Sequence, residues 1–322
     1  MEKCIEGAKK LIDEQIDNHK MLNTSFISSH TGFDGYKRGY FWTNENIKEY
    51  LDLADFEGKE NALTVMSSGD HIFNLIAKGI KNIDTFDINK LTEFLVLGLK
   101  KAMILKYNYH EFILTMKLIT DESLVKSVEG VSQIIYDLLP YMDRKYRLFW
   151  QEILDYNYKI QKELNMDLNL IYLLYCGLNN TMAFINRNQY LHSEEEYNKF
   201  KNNLYKTNIS FKYANAIDLD KEFNDKYDFI LLSNILDYAY IYFGELWDYG
   251  KLTDFENQIQ KLTKKDCVVF LHYIFNSYKK YNPIIHNSLI FKNNLNGEQI
   301  WKISKYFSKE IPLFEEVLVR KF

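Results

Sequence analysis

The apolar run Ala62-Leu63-Thr64-Val65-Met66 is followed at once by Ser67-Ser68-Gly69-Asp70, and an acid, Asp87, stands 18 positions beyond Gly69. A strand that closes in a glycine loop and opens a helix, followed by a strand that ends in an acid, can hold a nucleoside. In doubly wound sheets the ligand lies beyond the carboxyl ends of the strands, and the acid takes the ribose hydroxyls. The number of glycines narrows the choice. A dinucleotide fingerprint needs three, so that backbone can approach a pyrophosphate, and this loop has only Gly69. NAD and FAD are therefore disfavoured. Asp70, beside the start of the helix, would also repel phosphate, whereas S-adenosylmethionine carries none and offers an ammonium group. The cofactor expected is S-adenosylmethionine, with Ser67, Ser68, Gly69 and Asp70 toward its amino-acid end and Asp87, Ile88 and Asn89 toward its ribose. Taken singly, Gly69 is also a simple tight turn, Asp70 a helix N-cap and Asp87 a loop-facing acid. It is the pair at this spacing that carries the reading.

Three further stretches fall at carboxyl ends of apolar runs. In Asn215-Ala216-Ile217-Asp218, Ala216 and Asp218 lie where such folds contact an adenine, although a lone loop aspartate is commonly just solvated. Ser233-Asn234-Ile235-Leu236-Asp237-Tyr238 follows Phe229 to Leu232. Ser233 and Asn234 would face the cofactor, and Asp237 and Tyr238 are the catalytic candidates, placed to position an acceptor or take its proton. Capping the next helix is the plainer task for an Asn or Asp there. His272-Tyr273 end the run Val268 to Leu271, where a satisfied rim histidine is the simpler reading. The seven histidines and three cysteines show no metal-ligand spacing and no Ser/His/Asp or Cys/His arrangement, so no metal is expected.

The elements that would position these residues read as an α/β protein. Strands are expected at Ala62 to Met66, Ile83 to Phe86, Ile209 to Tyr213, Phe229 to Leu232, Val268 to Leu271, Leu289 to Lys292 and Glu316 to Arg320. The first two, with a helix from His71 to Lys78 that stops at Gly79, make one right-handed parallel crossover. From Leu91 to about Tyr205 long helical periodicities dominate, including Glu93 to Tyr107, Tyr146 to Leu164 and Leu168 to Phe184. The expected fold is a Rossmann-like, class I methyltransferase-type sheet with a large helical insertion. Residues 1–60 would form an N-terminal helical cap, 61–90 and 206–322 the cofactor-binding α/β domain, and 91–205 the insertion.

The bulk composition excludes several classes. The 40 Lys and Arg against 44 Asp and Glu leave a net charge of −4, with no basic excess for a nucleic acid. Three scattered cysteines suit a reducing compartment, and neither a signal core nor a run of about 18 apolar residues is present, so a cytoplasmic protein is expected. The Lys-rich, aromatic stretch Tyr197 to Lys212 could give peripheral membrane contact if the acceptor were a lipid, but a solvated helical face is the simpler reading.

Several segments together resemble a known family, the S-adenosylmethionine:diacylglycerol 3-amino-3-carboxypropyltransferases of betaine-lipid synthesis and their relatives. Tyr40-Phe41-Trp42-Thr43 is similar to the family's aromatic-Trp-acid segment. Leu63 to Asp70 resembles its strand and Ser-Gly-Asp loop, and Asp84-Thr85-Phe86-Asp87-Ile88-Asn89 its Asp-x-Asn element. Leu91 to Leu105 with Tyr107 to Phe112, Arg144 to Trp150, and Leu232 to Tyr238 resemble further segments. The likeness runs from about Tyr40 to Tyr273 and adds Trp42 to the expected cofactor residues. Two positions depart from the pattern: Thr43-Asn44 stands where acids beside the tryptophan are expected, and Leu262 to Asp266 where a Pro-Gly-Gly turn is expected.

The resemblance implies transfer of the 3-amino-3-carboxypropyl group to a hydroxyl or amine on a small-molecule or lipid acceptor, with release of methylthioadenosine. The residues alone equally allow methyl transfer on the same scaffold, release of a lactone from the cofactor's own chain, or a binding module that does no chemistry. Oligomeric state is not legible.

Overall fold

The computed structural model describes residues 1–22, 32–33, 35–120, 129–165, 169–176, 185–235, 249–274, 299–305 and 313–322. Helix α1 (Glu2–Leu22) opens the chain, followed by the hairpin β1 (Gly32–Phe33) and β2 (Tyr36–Lys37), then β3 (Gly39–Tyr40) and the short helix α2 (Ile47–Asp52). Asn46 caps α2, its side chain accepting from Glu49 N. The first crossover is β4 (Asn61–Val65), α3 (Asp70–Ala77) and β5 (Asn82–Asp87).

The helical stretch then runs through α4 (94–106), α5 (Tyr109–Thr120), α6 (Glu129–Leu138), α7 (Arg144–Leu164), α8 (Leu170–Leu174) and α9 (Glu194–Leu204). Ser193 caps α9 and accepts from Glu196 N at 3.2 Å, which fixes where that helix begins. The sheet resumes with β7 (Asn208–Tyr213), the turn of helix α10 (Leu219–Glu222), β8 (Tyr227–Leu231), α11 (Tyr249–Lys261), β9 (Thr263–Ile274), β10 (Gln299–Lys305) and β11 (Leu313–Lys321). One short strand, β6 (Tyr175–Cys176), interrupts the helices and pairs in parallel with β3. Of the expected helix from Leu168 to Phe184 the described residues show α8, after which the chain turns extended at Tyr175 to make that pairing; 168 and 177–184 lie outside the described residues.

The seven-stranded sheet has the order β10-β11-β9-β8-β4-β5-β7. From β7 to β9 every pairing is parallel, and β11 runs antiparallel to both β9 and β10. Numbered by first appearance, β7-β5-β4-β8-β9 is the 3-2-1-4-5 order of a doubly wound fold, with a reversed strand inserted before the last. This is the Rossmann-like, methyltransferase-type sheet expected from the sequence. The expected strand Leu289 to Lys292 lies outside the described residues, and β10, which was not expected, supplies the outer edge.

Alternation along the strands gives each sheet face its own core. Ala62, Ile83, Phe229, Leu231, Val268, Phe270, Val317 and Val319 join the core made with α1, α3 and the inserted helices. Leu63, Val65, Phe86, Ile230, Leu232, Val269, Leu271 and Leu318 face the opposite way, against Leu219, Phe223, Phe255, Ile259 and Leu262. Ala8, Leu11, Ile12 and Ile16 of α1 share their core with Phe149, Trp150 and Leu170. The stretch Tyr197 to Lys212 is half helix and half strand; Tyr197, Phe200 and Leu204 are buried, whereas Tyr205 is 66% exposed.

Candidate functional site

The chain leaves β4 and β8, two neighbouring strands, toward opposite faces of the sheet. Helix α3 packs Ile72, Phe73, Leu75 and Ile76 into one core, whereas α11 packs Phe255 and Ile259 into the other. The crevice this opens beyond the carboxyl ends of β4 and β8 is the topological switch point, where open α/β sheets bind ligands.

The loop after β4 is tightly determined. Ser67 takes a left-handed backbone (φ 45°), and Gly69 follows with φ 83°. Gly69 could not be another residue: a Cβ there would lie 2.5 Å from Val96 Cγ1 and 3.2 Å from Phe73 Cε2. Its amide donates back to Met66 O at 2.7 Å. The side of the loop that a Cβ would occupy is taken up by Val96 and Phe73.

Asp70 is fully buried, and both of its oxygens are used by the protein. Oδ2 accepts from Thr43 N at 2.7 Å and Ser68 Oγ at 2.8 Å; Oδ1 accepts from Lys100 Nζ at 2.7 Å and Tyr190 OH at 2.8 Å. Lys100, also buried, donates in addition to Phe41 O and Ser68 O, both at 3.0 Å, and its ammonium lies 4.5 Å from the centre of the Trp42 ring. Burial pushes the Lys100 ammonium below its usual range, with Asp70 acting in the opposite direction. The expected contact between Asp70 and a ligand ammonium is therefore corrected: the carboxylate is a hub for four segments, and the cation it holds is the chain's own. Trp42 and Ser68, both buried, belong to the same hub.

Asp87 ends β5 and is half-buried. Oδ2 accepts from Ser67 N at 3.0 Å and Oδ1 from Asn89 N at 2.8 Å, so the acid is tied to the glycine loop on one side and to its own turn on the other. Burial pushes its carboxyl up to about 6, against these backbone hydrogen bonds and one from the Thr92 side chain, which lower it. With a further backbone hydrogen bond from Ile88, these donors take up about the four that a carboxylate accepts, and the partial exposure of the side chain is what leaves it reachable from the edge. Ile88 beside it is also half-buried.

Asn89 is different. Its Oδ1 accepts from Lys37 N and Leu91 N, both at 3.1 Å, and its Nδ2 donates to Lys37 O at 2.9 Å. This side chain clamps β2 to the sheet, with its oxygen and one of its two N–H groups engaged with backbone.

On the neighbouring edge, Ala216 is buried and Asp218 binds Lys221 Nζ at 2.6 Å on the surface. Asn215, rather than Asp218, shapes that turn, accepting from Ile217 N at 3.4 Å. Ser233 and Asn234 stand half-buried just past β8, Ser233 with φ 57°. Asp237 and Tyr238 lie outside the described residues, as do the side chains of His272 and Tyr273.

Sequence reasoning missed Glu45. It is buried, and its carboxylate gathers His71 Nε2 at 3.1 Å, Tyr50 OH at 3.3 Å and, on the other oxygen, the hydroxyl of Ser233. Three parts of the chain thus meet across the switch point: the segment before α2, the first turn of α3 and the end of β8. The available signal was the acid expected near Trp42, which stands three positions on rather than adjacent.

Among the described residues no group of three or more His, Cys, Asp or Glu could hold a metal ion, and no helix is long and apolar enough to cross a membrane. No family model matches the chain, and no curated protein matches it. Among solved structures, an O-methyltransferase from Bacillus cereus in complex with SAH aligns over 96% of this chain and 90% of its own, at 9% identity and a TM-score of 0.34.

Proposed function

We propose that the chain binds S-adenosylmethionine at the carboxyl edge of β4, β5 and β8 and transfers a group from it to a hydroxyl or amine acceptor. One observation carries the reading. The loop after β4 has a single glycine, packed against Val96 and Phe73, where a dinucleotide loop uses three, and the next strand ends in an acid, Asp87, that is partly exposed at the edge. A nucleoside without phosphate fits that combination, and a dinucleotide does not.

Bound there, the cofactor would supply a sulfonium centre whose attached carbons are open to displacement. The chain's own contributions are positional. Asp87 would hold the ribose, with its carboxylate fixed by Ser67 N and Asn89 N; Ile88 would line the nucleoside; and Ser233 and Asn234 would face the reacting end. Selection among the three carbons is a matter of which one meets the aligned nucleophile at about 3 to 3.5 Å. The resemblance to the betaine-lipid enzymes favours the 3-amino-3-carboxypropyl arm.

The test is to incubate purified protein with labelled S-adenosylmethionine and an extract of its source cells, then identify the nucleoside released and the labelled acceptor. Methylthioadenosine with a labelled acceptor supports this reading. S-adenosylhomocysteine would assign methyl transfer, methylthioadenosine with an unlabelled extract would assign lactone release, and binding without turnover would assign a cofactor-sensing module.

A further inference from the structure

Glu45 and His71 are chemically equipped side chains that the cofactor contacts above do not use, and Glu45 meets Ser233 at the same edge. Among the described residues no lysine or arginine pairs with Glu45; its one charged-capable partner nitrogen is His71 Nε2. His71 is 1% exposed, and its other ring nitrogen, Nδ1, has no hydrogen-bond partner. Glu45 is a buried carboxylate oriented by two donors on Oε2, His71 and Tyr50, and reached on Oε1 by Ser233 alone. Ser233 Oγ also lies 3.1 Å from Asn234 Oδ1, and its left-handed backbone, unusual for a serine, holds the hydroxyl between the buried acid and the open edge.

We infer that Ser233 and Glu45 form the proton relay of the transfer, with His71 and Tyr50 positioning the carboxylate. The inference rests on the S-adenosylmethionine reading above. As the acceptor's oxygen or nitrogen bonds to carbon, the carbon–sulfur electron pair remains with sulfur, giving a neutral thioether. The acceptor's proton passes to Ser233 Oγ while the serine's own proton moves to Glu45 Oε1. Charge balances: one cation and one carboxylate become a thioether and a carboxylic acid. Ser233 touches the acceptor and is the catalytic residue, and Glu45 acts through it.

The experiment compares wild type with Ser233→Gly, which suits the left-handed backbone, and with Glu45→Gln and Glu45→Asp. S-adenosylmethionine affinity is measured by calorimetry, and turnover as nucleoside released in the extract assay. Glu45→Gln should bind within about threefold of wild type, and both Ser233→Gly and Glu45→Gln should lose at least about a hundredfold in kcat, the range of acid–base catalysis. Glu45→Asp should recover part of that loss. Wild-type turnover in Ser233→Gly, or a loss of affinity in both variants that accounts for the loss of rate, would overturn the relay. A wild-type protein that does not bind S-adenosylmethionine would instead refute the underlying reading, and the relay with it.

Discussion

Replacing Lys100 by methionine should be one of the most damaging single changes outside the sheet. The side chain is 2% exposed and makes three hydrogen bonds, to Asp70 Oδ1, Phe41 O and Ser68 O. Methionine fills a similar volume but leaves the Asp70 carboxylate buried without a cation and two carbonyls short of a donor. Breaking one side of a buried pair costs about 3 to 5 kcal/mol, a large share of the roughly 5 to 15 kcal/mol by which folded proteins are stable. With a urea slope of about 3 kcal/mol/M, the midpoint should fall by about 1 to 2 M. Urea titration followed by circular dichroism reads this directly. Asp70→Asn should destabilise by a similar amount, since it strands the lysine, and the folded fraction should still bind S-adenosylmethionine. A midpoint shift below about 0.3 M for Lys100→Met, or an Asp70→Asn protein of normal stability that no longer binds the cofactor, would refute the assignment of Asp70 as a structural hub.

Other expectations follow from single residues. Gly69→Ala combines a left-handed conformation costing about 1 to 2 kcal/mol with a 2.5 Å encounter with Val96, and overpacking adds about 1 to 3 kcal/mol; thermal unfolding should register the sum, and an unchanged midpoint would count against the packed loop. Because the Asp87 carboxyl is raised to about 6, nucleoside affinity should weaken as pH falls through 6, measured by calorimetry between pH 5 and 8, and a flat profile would remove Asp87 from the contact. The sign for stability is the reverse: an acid raised in the folded state binds protons there before it does in the unfolded chain, so Asp87 subtracts stability as pH rises from about 4 to about 6. Asn89→Ala should lower the melting temperature by releasing β2 at Lys37 while leaving cofactor affinity nearly intact; the opposite pattern would restore it as a ribose ligand. Burial pushes the Cys176 and Cys267 thiols up to about 11 and about 12, so thiol reagents should modify them only after unfolding, and rapid labelling of the native protein would contradict their burial.

The central strands β4 and β8 were legible because they are buried on both faces and carry runs such as Phe229 to Leu232 that few other structures accommodate. The glycine loop was legible because a left-handed residue between strand and helix favours glycine, as at Gly69. Edge strand β10 pairs only with β11, and its Gln299-Ile300-Trp301-Lys302-Ile303-Ser304-Lys305 lacks clean alternation. What could not be read is which polar side chains spend their hydrogen bonds inside. Asp70 resembled a ligand contact until Lys100 and Tyr190, 30 and 120 positions away, proved to hold it. Asn89 looked like part of a ribose motif, but its partner backbone at Lys37 lies 52 positions earlier. Glu45 gave no periodic signal, because its role depends on three segments that meet only in the folded chain.

The most direct measurement of the central claim is a pair of calorimetric titrations, S-adenosylmethionine and NAD, into wild-type protein and Asp87→Ala. Wild type should bind the sulfonium nucleoside and not the dinucleotide, and Asp87→Ala, folded by circular dichroism, should bind neither. Tight NAD binding to wild type, or unchanged S-adenosylmethionine affinity in Asp87→Ala, would contradict it.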